Sequence, residues 1–281
     1  MISAFGDRLG QQLADQWAST VVAPGGVFAA LSGVGLVLHQ KHAIGVARVA
    51  DQAHAFAARY GNGAVMLVLL AGGFFTAAMV ASTVAQTFGK AVLWIWTGDA
   101  PRSVAWPLWI MTCRRWKRAH RHYESEFKAV REQRGEPVDT SDPTLRAAER
   151  RRDRISIYRP TCATWTGNRF AAMEVNIRKT QGVDPAEAWR TLWITLPDNV
   201  RNDIMAARRA YEGAAVMTAW GVMFGLLGAL WWPAVVVGVA YLVRGWASGH
   251  VAAGAYASLV EAAFEVYRPA LGSGNTAPVT P

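Results

Sequence analysis

Acidic residues are missing from a long stretch of this 281-residue chain: none lies between Glu212 and Glu261, and Gly213 to Val243 carries no formal charge of either sign. That run of 31 residues is too long for one buried helix of a water-soluble domain. At 1.5 Å per residue it also exceeds the roughly 30 Å hydrocarbon layer of a bilayer. Cysteine is equally scarce. Cys113 and Cys162 have no CxxC partner and no nearby ligand set, which argues against a disulfide framework or a zinc site and predicts two reduced thiols. Nowhere is there an HExxH, a GxSxG or a Walker loop. No alternation of period two is sustained, with ISIYRP (155–160) the one short strand candidate, so the chain reads as all-α.

What is present is apolar sequence in several blocks. Trp231, Trp232 and Pro233 interrupt the long run with two interfacial aromatics and a helix breaker, which predicts a hairpin that crosses a bilayer, turns and returns. Gln16–Gln40 and Tyr60–Gly89 are also uncharged, at 25 and 30 residues. Each is longer than the about 20 residues that span hydrocarbon. Spans are expected at about 18–39 and 64–89, the first weakened by Pro24, Gly25 and Gly26. A signal peptide is not expected, because Asp7 and Asp15 break the basic leader pattern. The expected fold is therefore a polytopic membrane protein. About four transmembrane helices form two hairpins (1–98 and 213–269) flanking a helical cytoplasmic domain (99–212), with a linker at 135–143 and a disordered tail at 270–281.

Charge sets the orientation. Of the 29 Lys and Arg residues, 22 fall between Asp99 and Glu212, where 15 of the 20 acidic residues also lie. Basic loops stay inside, so both termini and the central block are expected in the cytoplasm of a multi-pass cell-membrane protein. Arg114, Arg115, Lys117, Arg118 and Arg121 form the densest cluster, and Trp94, Trp96, Trp106, Trp109 and Trp116 line the approach to it. Anchoring to anionic lipid headgroups is the expected use. Nucleic acid would use the same charges, but no recognisable nucleic-acid fold accompanies them. The basic run Arg150, Arg151, Arg152 and Arg154 reads as a solvated helix face.

Helix punctuation beyond the linker is legible. Asp142 is a candidate cap ahead of Pro143, and Gly182 a candidate stop. Asp184 and Glu187 flank Pro185 as a capping box, and Pro197 opens a helix that is expected to run without a break into the third span. Trp189 and Trp193, four apart, share a helix face and read as core. Gly167 and Asn168 suggest a helix start, the Gly for a special backbone conformation and the Asn as cap. The sharper alternative is a nest of amides for an anion, with Arg169 beside it.

Thr164, Gly167, Asn168, Glu174, Gly182, Asp184, Trp189, Leu192, Leu196 and Pro197 form the pattern Thr-x-x-Gly-Asn, Glu, Gly-x-Asp, Trp-x-x-Leu and Leu-Pro. This pattern, with Tyr256, Leu259, Ala262, Ala263, Tyr267 and Arg268 in the closing helix, resembles a family of uncharacterised bacterial integral membrane proteins. The resemblance covers roughly 155–270. It implies paired spans around a cytoplasmic domain and brings no activity with it. Arg190 departs from the family, which commonly has Pro there.

Two functions stay open. An oligomeric channel or pore, as a homo-oligomer with a cytoplasmic regulatory domain, is expected first. Gly221 and Gly225 make a GxxxG that permits close helix packing between or within subunits, packing within one subunit being the plainer use. Arg244 near the cytoplasmic third of the last span suits either an anion-selective mouth or snorkelling to headgroups. A membrane-anchored sensor or adaptor, binding a cytoplasmic partner or anionic lipid, is the alternative. The candidate spans hold no Asp or Glu, so catalysis and proton-coupled transport are not expected, and neither is a metal or cofactor.

Overall fold

The computed structural model describes residues 23–38, 40, 63–98, 102–134 and 142–273, together with 51, 54, 55 and 58. The linker expected at 135–143 lies outside the described residues as far as 141, and the tail expected at 270–281 lies outside them from 274. Among the described residues every regular element is helical, as the missing period of two predicts. The helices are α1 (Ala23–Leu38), α2 (Ala64–Thr97), α3 (Arg102–Arg134), α4 (Pro143–Asp153), α5 (Trp165–Gln181), α6 (Pro185–Thr195), α7 (Asp198–Leu227) and α8 (Pro233–Ser273). The strand candidate at 155–160 is a series of turns and bends. Its backbone finds partners outside any sheet, for the Trp116 Nε1–H donates to the Ser156 carbonyl at 2.9 Å and the Trp109 Nε1–H to the Pro160 carbonyl at 3.3 Å.

Among the described residues three helices are long and apolar enough to cross a membrane: Ala64–Thr97, Asp198–Leu227 and Pro233–Tyr267. α2 is the clearest, since only 11% of its most apolar stretch is buried. Leu67, Val68, Leu69, Leu70, Phe74 and Phe75 all face outward. A water-soluble surface rarely carries a continuous apolar face of that extent. Of the first expected span, the described part is one helix. α1 has 16 residues, about 24 Å of helix, and residues 18–22 and 39 lie outside the described residues. The turn expected at Trp231–Pro233 is present between α7 and α8. α7 is a single 30-residue helix beginning just after Pro197, as expected.

The chain divides into two compact units, Met1–Lys90 with Ala215–Trp246, and Ala91–Ala214 with Ala247–Pro281. In the first, small residues bring helices together. A Cβ on Gly221 would stand 2.8 Å from the Leu242 nitrogen and 2.9 Å from the Gly238 carbonyl oxygen. One on Gly238 would stand 2.8 Å from the Gly225 nitrogen. The GxxxG of α7 is therefore used against α8 of the same chain. Gly25 of α1 meets Ala78 and Ser82 of α2 in the same way, and Gly89 meets Val216. Around these crossings Ala81, Ala85, Trp220, Met223 and Phe224 form a core, with Phe28 edge-on to Phe224 at 5.2 Å. Gln40 closes the α7–α8 turn: its amide nitrogen donates to the Gly228 and Ala229 carbonyls at 2.8 Å each, and its oxygen accepts from the Trp232 N–H.

The second unit is built from larger side chains. Ile177, Leu192, Leu196, Ile204, Val260 and Phe264 form one core, against which Trp189 and Trp193 pack with ring centroids 5.4 Å apart. Tyr211, Ala252 and Ala253 form another with Trp96, Trp165 and Phe170. Asp142 caps α4 through the Thr144 N–H, with Pro143 at its first turn. Gly182 ends α5 at φ 64°, and Asp184 caps α6 through the Ala186 N–H. The expected reciprocal bond from Glu187 does not form; the second Asp184 oxygen accepts from Arg178 instead.

Candidate functional site

The start of α5 is a locked turn. Thr164, not Asn168, is the cap: its Oγ1 accepts from the Gly167 N–H at 3.1 Å and donates to the Trp96 carbonyl at 2.6 Å. Gly167 is needed for close approach and has no positive φ. A Cβ there would stand 2.8 Å from the Cys162 Cβ and 3.0 Å from the Thr97 carbonyl oxygen. Asn168, 3% exposed, is fully engaged. Its Oδ1 accepts from the Thr161 and Cys162 N–H groups at 2.9 Å each, and its Nδ2 donates to the Cys162 and Thr164 carbonyls. Four bonds exhaust what an amide side chain offers.

Two amides that the alternative reading, an anion nest, would use are bonded within this turn. The Gly167 amide is already bonded to Thr164, and the Asn168 N–H to the Thr164 carbonyl. Arg169 is committed as well. Its two terminal nitrogens grip both oxygens of Glu261, at 3.0 and 2.8 Å, and Asn176 donates to the same carboxylate. A bidentate fork of this kind is among the stronger polar contacts available to a protein. With side chains 12% and 25% exposed, the pair is a clasp between α5 and α8 and leaves no free guanidinium for a ligand. The partner lies 92 positions away. One signal for it was present: Glu261 and Glu265 are the sole acidic residues after Glu212.

Most of the motif residues prove to be structural. Thr164, Gly182 and Asp184 cap or end helices, Leu192 and Leu196 are buried, and Ala263 lies in the same core. Of the remaining expected sites, Arg244 is exposed on α8 in the first unit. Trp109 and Trp116 pin the loop after α4 through their ring nitrogens, whereas Trp94 and Trp106 stay exposed as interfacial residues would.

The basic cluster divides. Arg114, Lys117 and Arg121 lie on one exposed stripe of α3. Arg115 and Arg118 lie on the next stripe, with Ala119 and His122, and there they meet Arg151, Arg154 and Ile155 of α4 and its C-cap across a concavity of about 500 Å³. α3 and α4 are packed side by side. Arg152 helps hold them, its guanidinium 4.5 Å from the Tyr123 ring centre and paired with Glu149 and Asp153. Four further arginines face the groove, and no carboxylate lines it. Sequence reading treated these as two separate basic runs, a headgroup cluster and a solvated face. The i, i+3, i+7 spacing of Arg115, Arg118 and His122 was the visible signal; the pairing of the helices was not.

A second concavity, of about 560 Å³, is mostly apolar, with Trp189, Trp193 and Met205 as walls and the Arg208–Glu212 pair, 2.9 Å apart, on its rim. No grouping of three His, Cys, Asp or Glu suited to a metal occurs among the described residues. No family of known proteins, no curated protein and no solved structure matches this chain.

Proposed function

We propose that this chain is an integral membrane protein acting as a membrane-anchored, non-catalytic sensor or adaptor. Two helical hairpins cross the bilayer, and the basic helical unit and both termini lie on the cytoplasmic side at its anionic surface. Its apolar helices supply the anchor, and Arg114, Lys117 and Arg121 hold the unit near headgroups, each contributing about 1 kcal/mol at an anionic surface. One observation carries the choice over a pore: Gly221 is covered by Gly238 and Leu242 of the same chain, and Gly238 also lies against the Gly225 backbone, so the motif is used within one chain. Four helices packed on one core leave no lumen.

An oligomeric channel is the second reading, favoured by Gly72 and Gly73, which lie on α2 with open space where their side chains would be. Such small residues permit close approach of a second copy. Purified protein in liposomes separates the two. The expected result is no ion flux above empty vesicles and the mass of one or two chains in neutral detergent. A ring-shaped oligomer that passes anions overturns the sensor reading.

A further inference from the structure

We propose that the groove between α3 and α4 is a binding site for one diphosphate-type ligand, either a lipid headgroup or a soluble compound carrying two linked or neighbouring phosphates. The proposal rests on the reading of this unit as a ligand-sensing domain and makes it specific: the diffuse attraction of a basic surface becomes a stoichiometric pocket.

The argument begins with spacing. Arg115, Arg118 and His122 recur at i, i+3 and i+7, one stripe of α3, while Arg151 and Arg154 are i and i+3 on the other wall. Between them Ala119 is buried and Ile155 half-buried, so the floor is apolar and the rim cationic. Glu124 lies against His120 at 3.4 Å, and Glu149 and Asp153 hold Arg152, so these three are engaged outside the groove. Glu126 meets the groove only at its His122 edge, at 3.7 Å, and does not line it. Among the described residues the guanidinium groups of Arg115, Arg118, Arg151 and Arg154 form no ion pair.

Four like charges around one concavity repel each other, a cost that an anion between them removes. Guanidinium is the group whose planar fork matches phosphate oxygens two at a time, and four forks exceed what a single phosphate accepts. The volume of about 500 Å³ falls in the range of small-molecule sites and holds a diphosphate with room for the group that carries it. Arg152 shows that the arrangement is selective. Two of its neighbours in sequence, at −1 and +2, turn into the groove, while Arg152 itself is spent on Tyr123 and two carboxylates.

The test uses the full chain in neutral detergent, titrated calorimetrically with inorganic pyrophosphate. The expected result is saturable binding of one pyrophosphate per chain. R151Q/R154Q and, on the opposite wall, R115Q/R118Q each weaken it by about tenfold or more, while R114Q/K117Q/R121Q, which removes more charge from the neighbouring stripe, weakens it less than about threefold. Circular dichroism checks that each variant is folded, and two walls tested separately guard against one that is not. Nanodiscs then separate the sources: a diphosphate-bearing lipid that competes with pyrophosphate identifies a headgroup ligand, and unchanged binding identifies a soluble one. Equal losses in all three variants, or binding that never saturates, overturns the site. Neither outcome depends on whether liposomes carry current, so failure here is distinct from failure of the sensor reading.

Discussion

The two units of this chain seat their helices by opposite means. In the first, backbones touch: Gly221 against Gly238 and Leu242, Gly25 against Ala78, Gly89 against Val216. In the second, bulky side chains and polar clasps separate and lock the helices: Phe264 and Leu192 in the core, Asn168 across a turn, Arg169 on Glu261. On the proposed placement of the first unit in lipid and the second in water, the difference follows from the surrounding solvent. Where lipid surrounds helices, burying Leu against Leu gains little over leaving it in hydrocarbon, so close van der Waals contact between small residues drives association. Where water surrounds them, burial of aliphatic and aromatic area is itself the driving force. A buried polar side chain is then tolerated when every donor and acceptor is met.

The comparison breaks most sharply at Gly221. Gly221→Leu forces its side chain onto the Leu242 nitrogen and the Gly238 carbonyl and should destabilise the α7–α8 pair by roughly 3 kcal/mol or more. Thermal unfolding in detergent reads the loss. Gly225→Ala, in the same motif, has nothing within 4 Å of its new Cβ and should stay within about 1 kcal/mol of the parent. Equal effects from the two would mean that the crossing is not where the glycines place it.

Next in size is Asn168→Ala in the other unit. It removes the side-chain partner of the Thr161 and Cys162 N–H groups and of the Cys162 carbonyl and should cost about 2 kcal/mol, with faster amide exchange confined to 161–168. Of similar size is the clasp. Arg169→Met should cost about 2 kcal/mol by leaving the Glu261 carboxylate short of its main partner, and Arg169→Met with Glu261→Leu should cost less than the sum of the two single changes. Additive losses would show that the pair contributes nothing as a pair.

Much of the fold was legible in residues close together in sequence. Asp142, Gly182 and Asp184 mark helix ends because capping satisfies amides and carbonyls within a few residues. The α7–α8 turn is legible because Trp-Trp-Pro stops a helix locally. The site was less so. Gly167 and Asn168 stand out in sequence, yet their purpose depends on Trp96 and Thr97, some 70 positions earlier, which press against the turn. Arg169 looked like a free cation because its carboxylate partner lies far along the chain.

By itself the sequence determined that this protein is helical, that it carries uncharged apolar runs long enough for a bilayer, and that its positive charge is concentrated in the central block. Those are properties of composition and periodicity, and they act locally. Tertiary structure alone decided that the GxxxG closes within the chain, that Arg169 is a clasp, and that arginines some 35 residues apart share one groove. Each depends on which helix lies beside which, and that is set by packing across distances no local pattern encodes.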